Sequence, residues 1–152
     1  MPKLVYADNA ATSPVKPQVL EAMLPYFTDE YANPSSLYPF AYRVKNAVER
    51  ARQQVADLLG ATEKEIYFTS CGSEADNWAI KGAVLASKKE KKHIITTAIE
   101  HHAILNCMKE LESQGFEVTY LQPDDQGRIT LADLKAVLRK DTILVSIMMV
   151  NN

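Results

Sequence analysis

From Glu65 onward the chain alternates short apolar runs with longer stretches of helical period, and this alternation narrows the fold more than any other feature. Ile66-Tyr67-Phe68-Thr69, His93-Ile94-Ile95-Thr96-Thr97, Glu117-Val118-Thr119-Tyr120-Leu121 and the run from Thr142 to Met148 have the length and composition of strands. Between them helices are predicted from Ser73 to about Ala86, from about His102 to Ser113, and near 130 to 138. Strands separated by helices build βαβ units, in which the helix carries the chain back so that successive strands run parallel. The run at 142 to 148 is apolar on both faces, as suits a strand covered by helices on both sides. The expected class is therefore α/β, a mostly parallel sheet with flanking helices.

Ahead of this region, Val15, Val19, Ala22, Met23 and Tyr26 follow a helical period around Pro17, a favoured first-turn residue, and predict an amphipathic helix over 17 to 27. Ala32-Asn33-Pro34-Ser35-Ser36 reads as a loop, because proline biases Asn33 away from helical angles. Val44, Val48, Ala51, Val55 and Leu58 then predict a second helix that stops at Gly60. The expected organisation is an N-terminal segment (1–16), two helices with a loop (17–60), and an α/β portion (61–152), without internal repeats or low-complexity stretches.

The charge balance excludes some partners. Seventeen basic against nineteen acidic side chains leave a net charge of -2, too small to concentrate a nucleic-acid backbone or an anionic membrane. The basic run Lys88, Lys89, Lys91, Lys92 is read as a solvated helix end. No apolar stretch reaches the roughly 18 to 20 residues of a membrane span, and MPKLVYADNA lacks the apolar core of a signal peptide, so a cytoplasmic location is expected. Cys71 and Cys107 are too few and too far apart for a disulfide framework or a zinc site.

Three features bear chemistry. Thr69 to Asn77 joins a strand to a helix through small residues, and the unpaired amides that open a helix present donors and a positive dipole end to an anion. Gly72 permits close approach and Ser73 can add a hydroxyl. The same residues also read as a capping box, Ser73-x-x-Asp76, that needs no ligand. Glu100-His101-His102-Ala103-Ile104 lies at the exit of the second strand, where ligands gather in open α/β sheets. There an imidazole can stack on an aromatic cofactor and move a proton, or can simply be polar surface. Asn151-Asn152 follows the last strand on the same edge, where an amide can bond a ligand oxygen or form a turn. Adjacent histidines with one glutamate make a poor metal set, and no metal is expected.

Together these segments resemble the cysteine desulfurase family, within the fold type I (aspartate-aminotransferase-like) enzymes that use pyridoxal 5′-phosphate. The resemblance runs through Tyr6-Ala7-Asp8-Asn9-Ala10-Ala11-Thr12-Ser13-Pro14-Val15, Asn33-Pro34-Ser35-Ser36, Thr69 to Asn77, Glu100 to Ile104 and Val145 to Asn152, in one order along the whole chain. It implies that Gly72 and Ser73 hold the cofactor phosphate and that His101 stacks on the pyridine ring and takes part in proton transfer. It further implies that Asn152 bonds the phenolic oxygen and that Asn33 lies near the carboxylate of L-cysteine. The family removes sulfur from L-cysteine as a protein-bound persulfide, leaving alanine, with the cofactor as electron sink. Cys71 stands where the family has glycine or another small residue, and is not read as the persulfide cysteine; Cys107 is read as a buried apolar residue.

No segment resembles those carrying the family's Schiff-base lysine, pyridinium-pairing aspartate, persulfide cysteine or substrate arginine, and Lys81 has no such motif around it. The chain is accordingly expected to be inactive alone and to need a C-terminal complement of the same enzyme, with a homodimer and a sulfur-acceptor or scaffold protein, as in iron–sulfur cluster assembly, for the complete enzyme. In the family's large domain the strand near Ile66 pairs with strands from later in the sequence, so this chain is expected to be stable only with its complement or through self-association. Another fold type I enzyme, a selenocysteine lyase or an aminotransferase, and a non-catalytic remnant remain as alternatives.

Overall fold

The computed structural model describes residues 4–87 and 92–151. They divide between Phe68 and Thr69 into two compact units.

The N-terminal unit is helical: α1 (Pro17–Met23), α2 (Pro25–Thr28) and α3 (Pro39–Leu59), each opening with proline in its first turn. The single helix predicted over 17 to 27 is thus two, because Pro25 has no N–H to continue the ladder and starts a new turn. The end of α3 is as the sequence predicts. Gly60 adopts a left-handed conformation (φ 67, ψ 31), and its N–H bonds the carbonyls of Ala56 and Asp57. Only part of the predicted apolar stripe is covered: Val44 is buried, Val48 and Val55 are half-buried, and Leu58 is 84% exposed. Ala32, Ala41 and Val44 form this unit's small cluster.

Ile66 to Thr69, predicted as a strand, has no strand paired to it among the described residues. An apolar run becomes a strand only where a neighbour accepts its N–H and C=O groups. Here the Arg52 guanidinium donates to the Ile66 carbonyl and lies over the Phe68 ring at 5.0 Å. That anchoring leaves Tyr67 and Phe68 more than half exposed.

The C-terminal unit is a three-stranded parallel sheet with helices: α4 (Gly72–Ala86), β1 (His93–Thr97), α5 (His102–Ser113), β2 (Glu117–Leu121), α6 (Leu131–Val137) and β3 (Thr142–Val145), in the strand order β2-β1-β3. The last strand is shorter than predicted: the Ser146 N–H still bonds the Ile95 carbonyl at 2.9 Å, after which the chain leaves the ladder. Ile80 and Val84 of α4, Ile94 of β1, and Ile104, Cys107, Met108 and Leu111 of α5 form the core. Cys107 is buried as expected, and burial pushes its thiol above its ordinary pKa. At the amino end of the sheet, buried His93 joins all three strands, with Nδ1 2.8 Å from the Thr142 hydroxyl and Nε2 2.8 Å from that of Thr119. Arg139, which donates to Glu117 and Asp141, lies at the same end.

From β1 the chain steps outward to β2 and then back across β1 to β3. Right-handed crossovers put α5 and α6 on opposite faces when the direction reverses in this way. The reversal leaves a topological switch point between the carboxyl ends of β1 and β3, the position where open α/β sheets bind ligands. Among the described residues no helix is long and apolar enough to cross a membrane.

Candidate cofactor site at the carboxyl edge of the sheet

The first component is the turn that opens α4. Cys71 is the N-cap, in extended conformation and with no side-chain cap bond, and Gly72 begins the helix. Ser73 therefore sits inside the first turn, and the Ser73-x-x-Asp76 capping box does not form. Glu74 takes the reaching-back role instead, its carboxylate accepting from the Ser70 N–H at 2.6 Å and the Ser70 hydroxyl at 2.7 Å. These two bonds hold the Glu74 carboxyl below its usual range.

Nothing lies within 4 Å of where a Gly72 Cβ would stand. Among the described residues no carbonyl accepts from the Gly72 and Ser73 amides, the Ser73 amide facing only the Cys71 thiol; the first intrahelical bond runs from Ala75 to the Cys71 carbonyl at 3.1 Å. Open amides at the head of a 15-residue helix, with the Ser73 hydroxyl beside them, suit a phosphate monoester. The Cys71 thiol belongs to the same turn, and the Glu74 amide, followed by the Ser70 hydroxyl, holds its pKa below the ordinary value.

The second component is the head of α5. His101 is its N-cap (φ -59, ψ 148), exposed, and Nδ1 accepts from the Ala103 N–H at 3.1 Å. An accepting Nδ1 puts the ring hydrogen of the neutral imidazole on Nε2, which is left as the available donor. His102 meets His101 edge to face, with ring centroids 6.3 Å apart.

Asn77 connects the two helix heads. Its side-chain amide donates to the Ser73 carbonyl at 2.9 Å and reaches the Ala103 carbonyl at 3.4 Å, so the amide turn and the imidazole sit on adjacent first turns. Asn77 has no role assignable from sequence beyond its spacing, four positions after Ser73 and so on the same helix face.

The third component follows β3. Residues 146–151 are tied to the exit of β1 by the Met148 N–H to Glu100 at 2.8 Å and by the Asn151 side-chain amide to the Ile99 carbonyl at 2.6 Å. Asn152, the residue expected at the cofactor, lies outside the described residues. A cleft of about 520 Å³ on this edge is lined by Thr97, Ile99, Arg128, Ile147, Met148 and Asn151. Arg128 was not anticipated, since nothing in sequence links the loop before α6 to the end of β1. Asn33 belongs to the N-terminal unit, exposed in its loop, where its carbonyl oxygen Oδ1 accepts from the Ser35 N–H at 2.9 Å. Lys81 is paired with Glu110 at 2.7 Å.

A parallel α/β sheet with an open helix head and an imidazole at its switch point has the form in which such sheets hold ligands, and the chain belongs to the aminotransferase class-V family, whose model matches residues 5–152. Its relatives narrow this. It is 55% identical over 150 residues to cysteine desulfurase IscS of Methanosarcina thermophila, covering 99% of this chain and 37% of that protein. It is 57% identical over 149 residues to cysteine desulfurase 2 of Trichormus variabilis, covering 98% and 37%. Among solved structures it resembles a NifS-like protein (TM-score 0.90, 42% identity, 95% of this chain and 40% of the other) and SspA in complex with cysteine (TM-score 0.90, 44% identity, 96% and 42%). The chain thus spans well under half the length of the relatives it matches.

Proposed function

We propose that this chain forms the cofactor-binding part of a pyridoxal-5′-phosphate-dependent cysteine desulfurase that takes sulfur from L-cysteine as a protein-bound persulfide and leaves alanine. The observation that carries this reading is the clasp at Asn77, which sets open helix-head amides and a donor-bearing imidazole on neighbouring turns at the switch point. In this reading the Gly72 and Ser73 amides and the Ser73 hydroxyl hold the phosphate. His101 lies over the pyridine ring and moves a proton at Nε2. Asn152 bonds the phenolic oxygen, and Asn33 receives the cysteine carboxylate. The cofactor, when bound, supplies the electron sink for breaking bonds at the substrate's α-carbon.

Turnover needs a Schiff-base lysine and a persulfide cysteine, for which no segment of this sequence has a matching motif. The activity is therefore proposed for the chain together with a complement that supplies them, as a cytoplasmic homodimer that passes sulfur to an acceptor or scaffold protein such as one serving iron–sulfur cluster assembly. The test is to mix the purified chain with the C-terminal part of a related desulfurase, add pyridoxal phosphate, L-cysteine and dithiothreitol, which reduces the persulfide to thiol and free sulfide, and quantify alanine and sulfide. Equal amounts of both, lost in Gly72→Asp, support the reading. Turnover of selenocysteine but not cysteine would move it to a selenocysteine lyase, and amino transfer without sulfide to an aminotransferase.

A further inference from the structure

Glu100 is 6% exposed, yet it makes no ion pair among the described residues. Two donors converge on its Oε1, the Thr97 hydroxyl and the Met148 N–H, each at 2.8 Å. One sits at the end of β1, the other beyond the end of β3, 48 residues along the chain from Glu100. A buried carboxylate is a costly way to hold a loop, since its desolvation offsets much of what its bonds contribute. What it does here that an apolar residue cannot is bond both strand exits at once. Two further bonds flank it: the Asn151 amide to the Ile99 carbonyl, one residue before, and the Ala103 N–H to the His101 ring, starting one residue after.

We propose that Glu100 is a positioning residue that fixes the His101 imidazole and the 146–151 segment relative to each other, so that one ligand can be met by ring, amide and anion-turn contacts together. This rests on the cofactor reading above. Glu100 itself touches no reacting atom; it sets the backbone from which His101 caps α5, and that cap leaves the ring hydrogen on Nε2. Because both donors point at one oxygen, an amide carbonyl can replace it. Glu100→Gln should retain the arrangement, Glu100→Ala should lose it, and Thr97→Val, which removes one donor at nearly constant shape, should fall between.

Two readouts test this. Without cofactor, ¹⁵N chemical shifts of the His101 ring should report the Nε2–H tautomer in the wild type and Glu100→Gln, and an averaged ring in Glu100→Ala. With ligands, inorganic phosphate probes the α4 turn alone, whereas pyridoxal phosphate also probes the ring contacts. Glu100→Ala should bind phosphate within about twofold of wild type and pyridoxal phosphate roughly tenfold more weakly, as expected for losing one or two hydrogen bonds' worth of contact. Rescue by Glu100→Gln supports the proposal. An unchanged tautomer with unchanged pyridoxal phosphate affinity overturns it, as does equal weakening of both ligands in a variant whose circular dichroism and cooperative melt show that it is folded. Should Glu100→Ala not fold, Thr97→Val decides by the same two readouts. If the wild type binds phosphate but shows no preference for pyridoxal phosphate, the cofactor reading fails, while the tautomer experiment still reports on Glu100.

Discussion

His93 makes the stability of the sheet depend on pH in a window where few other groups titrate. It is buried at the amino end of the central strand and bonded on both ring nitrogens, and burial, helped by the charge of Arg139, holds its pKa below the usual histidine value; Glu117 and Asp141 oppose this more weakly. A histidine with a depressed folded pKa binds its proton more readily when unfolded, so stability rises with pH and is lost as pH falls below the unfolded value of about 6.5. The slope cannot exceed about 1.4 kcal/mol per pH unit, so lowering pH from 7.5 to 5.5 costs at most about 1.4 kcal/mol, roughly three-quarters of it below 6.5. Carboxylates held low by their partners, including Glu74, Asp133 and Asp141, act in a lower and separate window. With m-values of about 1–3 kcal/mol/M, the urea midpoint should fall between these pH values, by no more than roughly half a molar at the steep end of that range and roughly 1.4 M at the shallow end. His93→Gln, which keeps His101 and His102, should show a much flatter profile. An unchanged profile in that variant, or a wild-type midpoint constant from pH 7.5 to 5.5, would refute the reasoning.

Other expectations follow from single positions. Met108→Ala, at a side chain with no exposed surface in the C-terminal core, should destabilise by about 2–5 kcal/mol, read as a lower urea midpoint at constant m. Gly60→Ala should cost about 1–2 kcal/mol by thermal melting, because the residue is left-handed; nothing stands within 4 Å of the added Cβ, so a larger loss would mean that the end of α3 is tighter than described. Iodoacetamide should label exposed Cys71 quickly and Cys107 only on unfolding, as followed by peptide mass spectrometry, since the first thiol is biased toward thiolate and the second is buried and biased against it. Pyridoxal phosphate should slow labelling of Cys71, and labelling unaffected by it would count against a phosphate at the turn.

Several local signals agree with the structure, though Pro25, equally local, divides the helix predicted over 17 to 27. The period of α5, the Gly60 stop of α3 and the apolar runs of β1 and β2 need only near neighbours to be read. Pairing is not local: Ile66 to Thr69 has a strand's composition, but whether it becomes one depends on a neighbour that its own residues do not specify. At α4 the N-cap position falls on Cys71, two residues before Ser73, so Glu74 rather than Asp76 reaches back to bond Ser70, a shift of the size common at helix ends. Gly72, Ser73 and His101 were legible as types suited to an anion and a proton, and through Asn77 they lie on adjacent turns. Glu100's role was not legible, because it depends on a contact across 48 residues.

The most direct measurement is a titration of the ¹⁵N-labelled chain with pyridoxal phosphate, followed residue by residue in the amide and imidazole spectra. If the cofactor is held as proposed, the Gly72 and Ser73 amides and the His101 ring should shift together and saturate at one concentration, while Gly115, beside the amino end of β2, stays still. Shifts absent from that turn, or gathered at another face of the sheet, would contradict it.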